Sequence, residues 1–524
     1  TINRSLSDMA RLNPYTNQTQ TAGSDGTQGV SIMGMNSRFN NFQIDGAVAN
    51  DVFALGAAGT AGSLANANVL SLDAIERLRV NVSPYDVRQS GFTGGLVNVI
   101  TRGGTNATHG SMFFYGRNQD LVGLSPDANR RPFDRFSDIS FGGRIGGAIL
   151  PSELFYHVTA EARLRSTPVD VGLNDPFALN NFPVAPSTLD KVIQVAHDRY
   201  GYDAGTYEPY VAQNNSYNVI ARLDWSISET SKLQLRHNFT HAIQDRNVFR
   251  DATRFSLSSQ ANMFRSINNQ TVVQLNSILG ESLANELRVS FTSTIDERLL
   301  STDPFPEVRI VVGANQNVSL GPERSSQANG LDQYLIALTD DITHVAGDHT
   351  LTFGTHNEFS RFNNLFIQDY YGSYQFSSVE AFADSTPNFY RVSYANPAVV
   401  GSDPTPRAAW SMLQLGVYAM DEWEVTPELR LTGGVRLDAP IFLTTPYENP
   451  VFAARFPGLS TSKVPSVGSS LLVAPRIGFN WDVSGDRTLV LRGGTGLFTG
   501  RIAAVWLSNQ YSNTGMDIFR AQLG

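Results

Sequence analysis

The 524 residues carry 48 acidic against 39 basic side chains, a formal net charge of −9, and no cysteine. The acidic balance speaks against a nucleic-acid partner, whose phosphates need a basic face, and the missing thiols exclude disulfides and thiolate metal sites. Hydrophobic residues make up 41%, mean hydropathy is −0.18, and no run approaches the ~20 apolar residues of a membrane-spanning helix, which leaves a β-barrel open because only every second strand residue would meet lipid.

The opening Thr1-Ile2-Asn3-Arg4 leads into polar sequence rather than the apolar run of a signal peptide, so the start reads as mid-domain. The first punctuated stretch is Asn41-Phe42-Gln43-Ile44-Asp45-Gly46, followed by Leu72-Asp73-Ala74-Ile75-Glu76-Arg77-Leu78-Arg79-Val80. It closes on Gly94-Gly95-Leu96-Val97-Asn98-Val99-Ile100-Thr101-Arg102-Gly103-Gly104-Thr105-Asn106. Asp-Gly and Gly-Gly are ordinary turn signals taken singly; the apolar runs between them suit strands covered on both faces. In this order, and ahead of a long series of alternating strands, the three pieces resemble the plug of TonB-dependent outer-membrane receptors, particularly the Oar-like branch. The resemblance implies an N-terminally truncated α/β plug over residues 1–106, seated in the lumen of an antiparallel transmembrane β-barrel over residues 107–524. Ile44, Ile75, Leu78, Val80, Leu96, Val97 and Val99 are expected in the plug core. Asp45, Gly46, Glu76, Arg77, Arg79, Gly94, Gly95 and Asn98 are its structural or gating residues, with Glu76, Arg77 and Arg79 predicted to meet wall charges such as Glu161, Arg163 or Arg222.

Beyond Asn106 the pattern has period 2. Leu154, Tyr156, Val158, Ala160, Ala162 and Leu164 alternate with His157, Thr159, Glu161, Arg163 and Arg165. Tyr217, Val219, Ala221, Leu223 and Trp225 alternate with Asn218, Ile220, Arg222 and Asp224; Leu287, Val289 and Phe291 alternate with Arg288. Leu431, Val435 and Leu437 do so with Arg436, and Ile477, Phe479 and Trp481 with Arg476. Such rows match the ~9–11 residues of a tilted strand crossing a bilayer. Arginine and carboxylates along one face are expensive in a dry core and comfortable in a hydrated lumen. Arg163, Arg222, Arg288, Arg436 and Arg476 are therefore predicted to face inward, and Tyr156, Val158, Leu223, Trp225, Val289 and Phe479 to face lipid.

Tight connections fall at residues 150–152, 228–230, 280–282, 346–348, 426–428 and 484–486, and long irregular ones at about 166–214, 242–269, 299–330, 363–409 and 440–472. Short periplasmic turns alternating with long extracellular loops are the outer-membrane arrangement. About thirteen strands are counted, where the resemblance implies about 22; the chain is thus expected to lack about nine C-terminal strands, a preceding domain and the TonB-contact segment. The strands near Gly110–Asn118 and Leu489–Phe498 are expected to keep unpaired edges. Within the first long loop a surface helix is predicted, N-capped by Ser187 with Asp190 as capping-box partner and closed by Gly201.

His237 and His241 lie ~13 Å apart along a strand, too far to share a zinc with ~2.0–2.1 Å bonds. His237 departs from the apolar row of Leu233, Leu235 and Phe239, as a boundary position or a register shift would make it do. No Gly-x-Ser-x-Gly elbow or His-Glu-x-x-His motif is present, and Gly142-Gly143 and Gly146-Gly147 do not build a phosphate cradle. No catalytic residue, metal site or cofactor is assigned. What the resemblance implies is a receptor in the cell outer membrane that binds an extracellular ligand (siderophore, glycan or peptide) and imports it with an inner-membrane TonB complex, outer-membrane lipid being its other partner. The alternative is a passive porin-like or adhesin barrel.

Overall fold

A computed structural model describes residues 13–20, 28–82, 84–124, 130, 132–169, 171–174 and 181–524; the Thr1–Arg4 opening lies outside them. Thirteen antiparallel strands form one sheet whose neighbours follow chain order, from His109–Asn118 at one edge to Val490–Gly496 at the other. The turn from Leu150 to Leu154 and its five counterparts stay tight at one end. The strands outrun the alternating rows: Tyr210–Ser226 has 17 residues and Ala408–Thr426 has 19. The long connections accordingly shrink to residues 170–209, 247–261, 301–328, 367–407 and 443–471.

Register decides which side chains meet lipid, since a slip of one residue would exchange the faces. Leu223, Trp225, Val289 and Phe479 are exposed on the outer face, whereas Arg236, Arg436 and Arg476 are fully buried on the inner one. His237 marks no register shift, because pairing runs unbroken through Ala221 and Thr271. Its Nδ1 instead lies 2.9 Å from Thr271 Oγ1, so the outward polar group is satisfied by its cross-strand neighbour.

Inside the curve sits a four-stranded sheet with Asn41–Ile44 central between Ala47–Val48 and Gly95–Thr101, and Ile75–Val82 on the far edge. Helical content among the described residues before Asn106 consists of the single 3₁₀ turns Ser37–Phe39, Ser63–Ala65 and Leu72–Ala74. Ile32, Phe42, Ile75, Val97 and Val99 form its core, with Leu78 and Val80 partly buried against them; Ile220 of the barrel wall joins the same cluster.

The long loops are not irregular, as the sequence reading had them. Arg254–Ser256, Glu307–Val311, Asn317–Leu320, Ser373–Phe376, Phe389–Ala395 and Ile518–Leu523 assemble into a six-stranded sheet. Its core includes Phe182, Phe255, Ile310 and Phe382 together with Leu189 and Val192 of the helix Pro186–Tyr200. That helix ends on Gly201 at φ 63°, as predicted, but its N-cap is Ala185, and Ser187 makes no cap. Pro186 takes the first helical position, where its missing N–H is one of the unpaired groups anyway and its fixed φ suits the helix.

This cap carries two buried carboxylates. Asp369 accepts Arg324 Nε and Nη2 at 2.7 and 2.8 Å and Ser373 Oγ at 2.8 Å. Glu307 accepts the Gln260 amide at 2.9 Å, its one side-chain hydrogen bond among the described residues, and burial, reinforced by Glu323 and Asp369 against Arg309 and Arg324, pushes it up to about 7. A carboxyl raised on folding stabilises the cap while protonated: the contribution is full below the ordinary glutamate value and is lost as pH rises through about 7. About 3 kcal/mol of local stability is involved. Amide exchange in residues 307–311 and 317–320, corrected for its intrinsic rate, is expected to accelerate across that interval in the native chain and to stay level in Glu307→Gln. An identical pH dependence in both would remove Glu307 as the cause.

Candidate functional site

The Asp45-Gly46 turn is the centre of the contact between inner sheet and wall. Both residues have positive φ, 49° and 75°, as a two-residue turn between Ile44 and Ala47 requires. Asp45 Oδ1 and Oδ2 accept the Thr101 backbone N–H and hydroxyl at 2.8 and 2.7 Å. Oδ2 also faces Arg236 Nε of the wall at 3.1 Å, and Arg222 Nη1 lies 3.8 Å from Oδ1. Arg236 further donates to Ile44 O at 3.0 Å and Gln270 Oε1 at 2.8 Å, Arg222 to Thr101 O at 2.8 Å, and Arg288 to Gly46 O at 3.2 Å. A Cβ at position 46 would stand 2.8 Å from the Arg288 guanidinium. Asn98 Oδ1 accepts Gly46 N at 3.2 Å and so joins the turn to the neighbouring strand.

Gly94 and Gly95 serve packing within the plug: a Cβ would fall 2.2 Å from Asn40 Oδ1 at the first and 2.8 Å from the Ile32 side chain at the second. Asn40 Oδ1 accepts Gly95 N at 3.2 Å in the space this leaves.

The predicted ionic contact of Glu76, Arg77 and Arg79 with the wall does not reach ion-pair distance among the described residues; Glu76 acts on the wall residue Arg222 only at longer range. All three are exposed and none forms an ion pair among the described residues. Their strand is the sheet edge, and across from Arg79 a cavity of about 450 Å³ separates plug from wall. Of the suggested wall partners, Arg222 binds Thr101 instead, and Glu161 accepts Ser71 Oγ at 2.5 Å and Asn68 Nδ2 at 3.2 Å. Wall groups otherwise grip plug backbone. Asn218 and Asn238 donate to Val69 O at 2.8 and 3.2 Å, Arg436 to Val87 O at 3.3 Å, and Arg476 to Asp86 O and Gln89 O at 2.6 and 2.8 Å. Arg236 follows the inward row of its strand and could have been found by the alternation that singled out Arg222.

Beyond Gly496 the chain leaves the wall and folds over the plug as a strap. Thr499 O accepts Gly91 N at 3.2 Å, and Ala504 N and Val505 N donate to Val52 O and Phe53 O at 3.3 and 3.0 Å. Arg501 forks onto Glu358 of the wall at 2.5 and 2.7 Å, and Tyr511 stacks on Trp410 at 5.1 Å. Beneath the strap a second cavity, about 400 Å³, is lined by Arg38, Asp51, Leu55, Arg501 and Trp506. Asp51 accepts Gly56 N at 2.8 Å, and burial pushes its carboxyl above the usual range. No local sequence signal marks Arg501 or the strap.

An open, strongly curved antiparallel sheet with lipid-type rows outside and a docked plug inside defines an outer-membrane barrel protein. Residues 100–181 and 166–520 match the outer membrane beta barrel domain family, and the chain belongs to it; its place is the cell outer membrane. Over 161 residues it is 28% identical to the TonB-dependent transporter Oar of Myxococcus xanthus, covering 29% of this chain and 14% of that protein. The outer membrane transporter YddB of Escherichia coli superposes with a TM-score of 0.62 at 14% identity, over 96% of this chain and 60% of that one. The siderophore receptor PirA of Acinetobacter baumannii gives 0.57 at 14%, over 94% and 58%. The chain thus spans less than two thirds of the length of these relatives.

Proposed function

We propose that the chain is the plug (residues 1–106) and part of the barrel (residues 107–524) of a TonB-dependent receptor, which binds a ligand outside the cell and imports it past the plug. A docked plug is the observation that carries this: a passive pore has no use for a folded domain held across its lumen by Arg222, Arg236, Arg288, Arg436 and Arg476. An inner-membrane TonB complex would supply the work, and no covalent chemistry is involved. Asp45, Gly46 and Asn98 act as the docking turn, with Gly94 and Gly95 holding the plug's own packing; the outward rows meet outer-membrane lipid. Siderophores, glycans and peptides are the ligand classes to try, siderophores being what the similar PirA receives.

The test compares growth of the parent bacterium, a strain lacking this protein and a strain lacking TonB. Each class of compound is supplied in turn as the sole iron, carbon or nitrogen source. Deleting either gene is expected to abolish growth on the same compound. Growth that needs this protein but continues without TonB would support the passive-pore alternative instead.

A further inference from the structure

The two sides of the plug are closed differently. On one side plug and wall are in direct contact: Ile220 enters the plug core, Ser71 is bonded to Glu161, and Val69 O is held by two wall asparagines. On the other side three cavities follow one another. The apex cavity beneath the strap shares Arg501 with the 450 Å³ cavity beside the Asp45-Gly46 turn. That one in turn shares Arg88, Glu286 and Asp341 with a third, about 330 Å³, which reaches the tight turns around Thr230 and Ile278. The series therefore runs from the loop end of the barrel to its turn end, with a guanidinium at each junction. Arg501 is paired with Glu358, and Arg88 with Asp86 at 2.7 Å. Both belong to segments outside the barrel strands, the strap and a plug loop, so their displacement leaves the wall hydrogen bonding intact.

The lining identifies the solute. Arg79, Arg222 and Arg288 stand against Asp45, Glu286 and Asp341 around the central cavity, and the pairs Arg88–Asp86 and Arg501–Glu358 also line it, so its charged side chains balance at five of each sign. Between them come amides: Asn41, Gln43, Asn81, Gln89, Gln234 and Gln274. Paired charges of both signs with interspersed amide donors and acceptors complement a molecule that carries both charges and peptide groups. A polyanion would meet five carboxylates there, and an apolar molecule would strand the amides without partners.

We propose that this seam is a binding site and passage for a zwitterionic solute of short-peptide chemistry, with Arg501 and Arg88 as its upper and lower bolts, while the plug stays docked through Asp45 and Arg236. The inference rests on the receptor reading and names its ligand class and route.

The whole receptor, reconstituted in liposomes without TonB, is assayed for passive entry of trialanine, its acetylated and amidated neutral form, and sucrose. The double variant Arg501→Ala/Arg88→Ala is expected to raise trialanine entry roughly tenfold, as for a population shift of one decade, with little change for the other two solutes. The milder pair Glu358→Gln/Arg88→Gln, which keeps hydrogen-bonding capacity, is expected to act in the same direction. Heat-modifiable gel migration verifies that each variant is folded. Because the chain has no cysteine, Asn81→Cys added to either variant can be labelled with a bulky maleimide, which is expected to return entry to the unmodified level. Labelling Tyr15→Cys, exposed and away from all three cavities, is expected to leave it unchanged. No rise in folded variants, or no block at position 81, overturns the route; an equal rise for the neutral solutes overturns the ligand class. Since no TonB is present, these outcomes are independent of whether import is energy-coupled.

Discussion

Asp45→Ala is expected to release the plug from the wall. Arg236 has no exposed surface, and Asp45 is the carboxylate that faces it, at 3.1 Å. Removing one partner of a buried pair leaves the other charge uncompensated, at a cost of about 3–5 kcal/mol. The same substitution deletes two acceptors for Thr101 and puts alanine at φ 49°, a conformation that aspartate and asparagine tolerate better. Asp45→Asn separates the terms, since it keeps the turn conformation and an acceptor for Thr101 and loses the charge. Amide exchange of residues 41–48 and 95–101 in the intact receptor is the measurement. The alanine variant should exchange fastest and the asparagine variant at an intermediate rate. Native protection in the alanine variant would show that the remaining wall bonds hold the plug without this pair.

The 524-residue polypeptide, expressed by itself, is expected not to insert stably into the outer membrane. Its sheet ends at His109–Asn118 on one side and Val490–Gly496 on the other, and among the described residues the outer backbone groups of both strands have no partner strand. In hydrocarbon each unsatisfied N–H or C=O costs several kcal/mol, which is why barrels close. Over strands of 10 and 7 residues the sum exceeds the ~5–15 kcal/mol that normally holds a protein folded. Degradation or aggregation should follow, whereas a polypeptide extended by strands that join the two edges should fractionate with the outer membrane and migrate heat-modifiably. Heat-modifiable insertion of the 524-residue chain alone would mean that its edges find partners, in a second copy or in each other.

How much was legible from sequence follows the range of the forces involved. Alternation is local, and it sufficed to put Leu223, Trp225 and Phe479 outside and Arg436 and Arg476 inside, because the strand repeat of two residues admits no other assignment once one face is lipid. Turn chemistry is equally local: the Asp45-Gly46 dipeptide announced the tight reversal that the backbone makes. Charge on a plug strand, by contrast, misled. Glu76, Arg77 and Arg79 read as wall contacts, yet the strand lies at a sheet edge beside a cavity; the plug carboxylate that wall arginines meet is Asp45, in a turn, and Arg436 and Arg476 hold plug carbonyls instead. Backbone carbonyls are offered by every residue, so nothing in the side-chain pattern distinguishes Val69 or Val87 as an acceptor.

By itself the sequence determined the alternating strands, their inward and outward rows and the tight turns, all consequences of periodicity and turn residues within about ten neighbours, while the plug came from the resemblance of residues 41–106 to the plugs of TonB-dependent receptors. Only the tertiary structure decided the six-stranded sheet of the long loops, where Glu307–Ile310 pairs in parallel with Ser373–Phe376, and the strap, where Arg501 reaches Glu358. Those contacts join segments that become neighbours after the wall has folded. Their energy comes from burial and hydrogen bonding across long chain separations, which leave no trace in the spacing of adjacent residues.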